Sequence, residues 1–147
     1  METPLDKRFG YLVSDVGRLC GKRFDELAKS SLDLTRAQCQ ALAYLSHYGE
    51  MNQARLSDLL EVAPISAGRL LKRMEESGWI ERLPNPEDGR ARQVRMTAKA
   101  HQALSAASRV GDEIAVDALS GFIAEEAERL IDFLARVRSN LGRIVDC

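Results

Sequence analysis

Two runs of cations free of any acid are the residues in this chain best placed to do chemistry. Residues 62–74 hold Arg69, Lys72 and Arg73, and residues 89–101 hold Arg90, Arg92, Arg95 and Lys99, with no Asp or Glu in either run. Residues 112–132 reverse the balance, with Asp112, Glu113, Asp117, Glu125, Glu126, Glu128 and Asp132 against Arg129. The net charge of −1 hides this segregation. Clustered guanidinium and ammonium groups beside an acidic remainder form an electrostatic footprint for phosphate. Solvated helix faces are the alternative reading of the same pattern.

Other chemistries find little support. Glu75, Glu76, Glu125 and Glu126 read as solvated faces rather than catalytic pairs. His47 and His101 are far apart and lack partners at ligand spacing, so no metal is expected. Three cysteines, Cys20, Cys39 and Cys147, are an odd number without a CxxC, which argues against a disulfide framework and for a reducing cytoplasm. Cys20 and Cys39 fall inside helical patterns and read as small buried residues. Neither a P-loop, a G-x-G-x-x-G nor a G-x-S-x-G is present, and no cofactor is expected.

The cations need a scaffold. A chain of 147 residues with 45% hydrophobic, 29% charged and 5% aromatic residues fits one globular domain. Its core must come from Leu, Ala, Ile and Val, a helix-favouring set. No apolar run approaches the roughly 20 residues of a bilayer span, so no membrane partner is expected. METPLDKRFG lacks the pattern of a secretory signal.

Along the chain, Leu5, Phe9, Leu12, Val16, Leu19 and Leu27 predict a long amphipathic helix over about residues 6–30. Thr35 and Gln38 have the spacing of a capping box for a second helix, which Gly49 ends after Tyr48. Asn52 caps a short third helix carrying Leu56, Leu59 and Leu60. Residues 61–63 make a turn, and Pro64 opens a fourth helix that stops at Ser77-Gly78. Its inner face is expected to be Ile65, Leu70, Leu71 and Met74. Its outer face is then Ser66, Arg69, Lys72 and Arg73, with Ala67 and Gly68 small enough for close approach. Trp79 begins a strand as a core residue, and residues 93–97 return. The intervening Pro84-Asn85-Pro86-Glu87-Asp88-Gly89 is dense in turn formers. Thr97 caps a fifth helix, and a break at Ser120-Gly121 leads to a sixth over about residues 124–144. That last helix has apolar Ala127, Leu130, Ile131, Leu134, Val137 and Leu141.

Short helix, tight turn, second helix and basic hairpin together predict a winged helix-turn-helix. A helix fits the major groove, and arginine on a hairpin tip suits a narrow minor groove. Here the sequence resembles the MarR family of transcription regulators, and within it the SlyA-like members. The resemblance rests on Leu34-Thr35, on Leu56-Ser57-Asp58-Leu59-Leu60, and on Leu70-Leu71-Lys72-Arg73-Met74-Glu75-Glu76-Ser77-Gly78-Trp79-Ile80. It continues through Asp88-Gly89-Arg90-Ala91-Arg92 and Val94-Arg95-Met96-Thr97. Asp88 and Arg90 meet the family's Asp-x-Arg wing signature.

The resemblance implies an α+β, mainly α fold. One domain spans residues 1–147, with dimerisation helices at 6–30 and 98–145. A winged helix-turn-helix lobe occupies 35–97, its helix-turn-helix at about 53–77 and its wing at about 79–97. It implies a homodimer on a palindromic operator in double-stranded DNA, acting as a repressor that a small aromatic or phenolic effector relieves. DNA-binding residues would be Pro64, Ser66, Ala67, Arg69, Lys72 and Arg73 on the fourth helix, with Asp88, Arg90 and Arg92 on the wing and Arg90 in the minor groove. The peroxide-sensing cysteine of some relatives would fall near Tyr11, well upstream of Cys20, so that chemistry does not carry over. Ala63 stands where some relatives place an acid that pairs with a wing arginine, so the wing is expected to dock more loosely or on another partner. The rival readings are a winged-helix interaction module without DNA binding and, more weakly, a small ligand-binding enzyme. The basic fourth helix argues against the first, and the missing nucleophile–base sets argue against the second.

Overall fold

Local sequence signals set most of the element boundaries. In the computed structural model, which describes residues 1–84, 87 and 92–145, a 3-10 turn (Leu5–Lys7) precedes helix α1 (Phe9–Ala28). Arg8 between them is extended, so the expected single helix from residue 6 is divided. Helix α2 (Arg36–Tyr48) opens with the expected capping box. The Gln38 amide donates to Thr35 Oγ1 at 3.2 Å, and the Thr35 amide donates to Gln38 Oε1 at 3.0 Å. Gly49 closes it at φ +84°, in the region that favours glycine.

Strand β1 (Met51–Asn52) is followed directly by α3 (Gln53–Leu60), whose cap is Asn52. The Arg55 amide donates to its side chain at 2.8 Å. Glu61 turns left-handed at φ 55°, and α4 (Pro64–Glu76) starts on Pro64. Strands β2 (Ile80–Pro84) and β3 (Arg92–Met96) pair antiparallel, and β1 joins the free edge of β3, giving the order β1-β3-β2. Helix α5 (Ala98–Ala118) starts after Thr97, whose Oγ1 accepts from the Ala100 amide at 3.3 Å and donates to Gly78 O at 2.6 Å. Helix α6 (Ala124–Val145) follows. Glu126 reaches back to accept from the Ile123 amide at 3.0 Å, which ties down its first turn. The fold is mainly helical with one small antiparallel sheet, a winged helix-turn-helix.

The described chain divides into two compact units, residues 1–112 and 113–147. The first contains the core. Leu42, Leu56, Leu71, Met74 and Val94 have no exposed surface, and Trp79 keeps only 7%. Each such burial contributes about 1.5–3 kcal/mol. Trp79 is thus a core residue at the helix-to-strand junction, as its position predicts, with Lys99 Nζ 4.3 Å from its ring centre. Cys39 is buried, and desolvation raises its thiol pKa to about 11, whereas Cys20 is only half-buried. In the second unit none of residues 124–144 is buried. Among the described residues, no helix is long and apolar enough to cross a membrane.

Candidate nucleic-acid interface

Helix α4 owes its orientation to which of its residues the core accepts. Ala67, Leu71 and Met74 have no exposed surface, and Leu70 is half-buried. These positions share one side at 3.6 residues per turn. Ala67 therefore does not face outward, as the sequence suggested, and Ile65 does not face the core. Ile65 lies two residues, about 160°, away from Ala67, and 73% of it is exposed. A methyl in the first turn fits against the core where a larger side chain would not, and Ile65 is rotated out as a consequence. Glycine at 68 has Gln53 of α3 near the place a Cβ would take, 3.8 Å from it, so this half-buried side lies beside α3.

The other expected residues of α4 are where the sequence put them. Pro64, Ser66, Arg69, Lys72 and Arg73 are all exposed. No ion pair among the described residues occupies Arg69, Lys72 or Arg73. Their charges are thus available to a partner. The second basic run is less uniform. Arg92 is exposed at the start of β3, opposite Pro84. Arg95 pairs instead with Glu81, its direct cross-strand neighbour, at 2.6 Å. Lys99 donates to Ser77 O at 2.7 Å and caps the end of α4. Asp88 and Arg90 lie outside the described residues.

One polar cluster was missed by sequence reading. Arg82 Nη2 donates to Glu75 Oε1 at 3.1 Å, and the Arg82 amide donates to Glu75 Oε2 at 3.3 Å. Arg82 Nη1 also reaches Gln53 Oε1 at 3.4 Å. Glu75 is therefore more than a solvated face: with 38% of its side chain still open, it ties β2 to α4, and α3 is held through Gln53. The wing root thus has an acidic partner, supplied from the end of α4 and not from position 63. Hydrogen bonding from Arg82 holds the Glu75 carboxyl below its ordinary value, against an opposing push from desolvation.

A depressed carboxyl pKa stabilises the fold above its ordinary value, and that contribution is lost as pH falls through the depressed value. Glu75→Gln is accordingly expected to cost roughly 0.5–1.5 kcal/mol at neutral pH, solvent screening keeping it small. Urea unfolding of parent and variant should show the gap closing as pH falls below the ordinary carboxylate range. A gap that persists undiminished in acid rules out the ionic contribution.

Comparison with known proteins agrees with this geometry. The MarR family model matches residues 32–91, from the approach to α2 to just before β3. The HTH-type transcriptional regulator YybA of Bacillus subtilis is 32% identical over 112 residues, covering 76% of this chain and 75% of YybA. The chain belongs to the MarR family. MarR-family proteins are transcription regulators, and this one is a regulator of that class. The crystal structure of wild-type apo MarR from E. coli superposes with a TM-score of 0.80 at 26% identity, covering 93% of this chain and 98% of MarR. A cysteine-to-serine variant of E. coli MarR complexed with operator DNA superposes with a TM-score of 0.71 at 26% identity, covering 92% of this chain and 99% of that one.

Proposed function

We propose that this MarR-family chain is a homodimeric repressor that binds a palindromic operator in double-stranded DNA. Helix α4 enters the major groove and the wing reaches the adjacent minor groove. The observation that carries the reading is the outer face of α4, where exposed Arg69, Lys72 and Arg73 have no ion-pair partner among the described residues. A rigid helix presenting unpaired cations fits the groove of a polyanion. The operator-bound MarR neighbour supports the same role. Pro64 and Ser66 accompany these cations in the first turn of α4, while Asp88, Arg90 and Arg92 serve the wing.

Relief by a small aromatic or phenolic acid completes the proposal. A cleft of about 250 Å³ between α1 and α2 is lined by Phe24, Ala28, Leu32 and Leu34, with Asp25, Lys29, Thr35 and Arg36 also contributing, and Arg36 pairs with Asp25 at 3.5 Å. Apolar walls with the ammonium of Lys29, which has no ion-pair partner among the described residues, suit an aromatic carboxylate. The described lining includes no residue of α5. Aromatic acids are expected to raise the melting temperature and weaken DNA binding, and a panel that does neither overturns the effector half of the proposal.

The DNA half is tested by two alanine variants that fail differently. Arg69→Ala is expected to lose roughly 1–3 kcal/mol on the preferred operator and to blur discrimination at one base position. Arg90→Ala is expected to weaken all sequences together and to lower the salt slope by about one. Titrations against operator and single-base variants at several salt concentrations, with circular dichroism as the folding control, separate the two. An Arg90→Ala protein that binds as tightly as its parent removes the wing from the interface.

A further inference from the structure

Among the described residues of α4, Ile65 is the one large apolar side chain left open, at 73% exposure. It occupies the first turn, where recognition helices meet base edges. Arg69 follows four residues later and Lys72 seven later, so the three lie along one outer ridge. Isoleucine is a modest helix former, and at this position it gains nothing from the core. A surface that puts a branched apolar side chain in line with unpaired cations suits a partner that is anionic and also offers a small apolar group. The major groove of DNA presents such a group only on thymine, as its C5 methyl.

We infer that Ile65 packs against a thymine C5 methyl in the major groove and thereby specifies thymine at one position in each operator half-site. The inference rests on the DNA-binding reading above. Ile65 supplies shape and apolar contact, and Arg69 and Lys72 on the same ridge hold the helix at the required depth. Specificity at that base comes from one methyl buried against another.

The test uses the full-length protein and a duplex that it selects from a random-sequence pool. Each thymine of that duplex is replaced singly by deoxyuridine, which deletes only the methyl group. In the parent, one thymine per half-site should lose about fourfold in affinity on replacement, the worth of one buried methyl. Ile65→Ala should bind the thymine and uracil duplexes equally at that position, with the salt slope unchanged because no phosphate contact is lost. Circular dichroism should show the variant folded, since Ile65 contributes no core contact. A flat uracil scan in the parent overturns the inference, as does an Ile65→Ala scan identical to the parent's. Failure to select any duplex is a different result, which overturns DNA binding itself.

Discussion

Replacing Leu134 and Leu141 together by glutamate is expected to turn the protein into monomers and to reduce operator affinity by about 100-fold or more, through loss of two-site attachment. Helix α6 has 22 residues, about 33 Å of helix. Its apolar residues recur at three- and four-residue steps, yet Ile131, Leu134, Leu141 and Ile144 are 46–72% exposed. A helix gains most of its stability by packing such a face, and this one buries no residue from 124 to 144 within the chain. Helix α1 and the turn before it present the same problem in the other unit, with Leu5, Phe9, Leu12, Val16 and Leu19 at 45–62% exposure.

A second copy of the chain is the partner proposed for both stripes, with Leu130 and Val137 completing the α6 surface. The resulting interface should exceed about 2,000 Å², in the obligate range. Two glutamates in its centre would leave charges buried without partners. Sedimentation velocity at low micromolar concentration is the measurement. A parent protein that sediments as a well-folded monomer removes the dimer, and a double variant that stays dimeric moves the interface elsewhere.

Leu71→Ala is expected to cost about 2–5 kcal/mol, a large share of the roughly 5–15 kcal/mol that holds a typical domain together. Leu71 has no exposed surface and belongs to the core cluster with Leu42, Leu56, Met74 and Val94. Removing three carbons there leaves a cavity between α4 and the elements beneath it. The same side chain sets the roll of α4, and so the direction in which Arg69, Lys72 and Ile65 point. The variant should lose DNA affinity beyond what its unfolded fraction explains. Leu71→Met, which nearly conserves volume, should cost less than about 1.5 kcal/mol. Denaturant unfolding at matched protein concentration checks both, because the stability of a dimer depends on concentration. A cost below about 1 kcal/mol for the alanine variant is inconsistent with a closely packed site.

Much of the architecture is legible from short-range signals. Thr35 and Gln38 three residues apart, Asn52 before α3, Pro64 at the start of α4 and Gly49 after α2 each act through contacts within a few residues. Such contacts are written into the sequence directly, and the elements they bound follow from them. The outward cations of α4 follow as well, because Leu71 and Met74 leave little doubt about its inner side.

The tertiary structure decided what local pattern leaves degenerate. Ile65 and Ala67 both sit in the first turn of α4, and hydrophobicity alone favours the larger as the core residue. Only the space actually available beneath the helix turns Ala67 in and Ile65 out. Strand β1 has two residues and no period to read, and it exists because Met51 and Asn52 meet Val94 and Gln93 across the sheet. Arg82 finds Gln53 at a separation of 29 residues and Glu75 at seven, while Arg95 finds Glu81 at 14. A charge in a sequence carries no mark of whether it will meet a protein partner or remain free. That depends on strand register and helix packing, and it separates Arg69 and Lys72, open to a ligand, from Arg82 and Arg95, which hold the wing together.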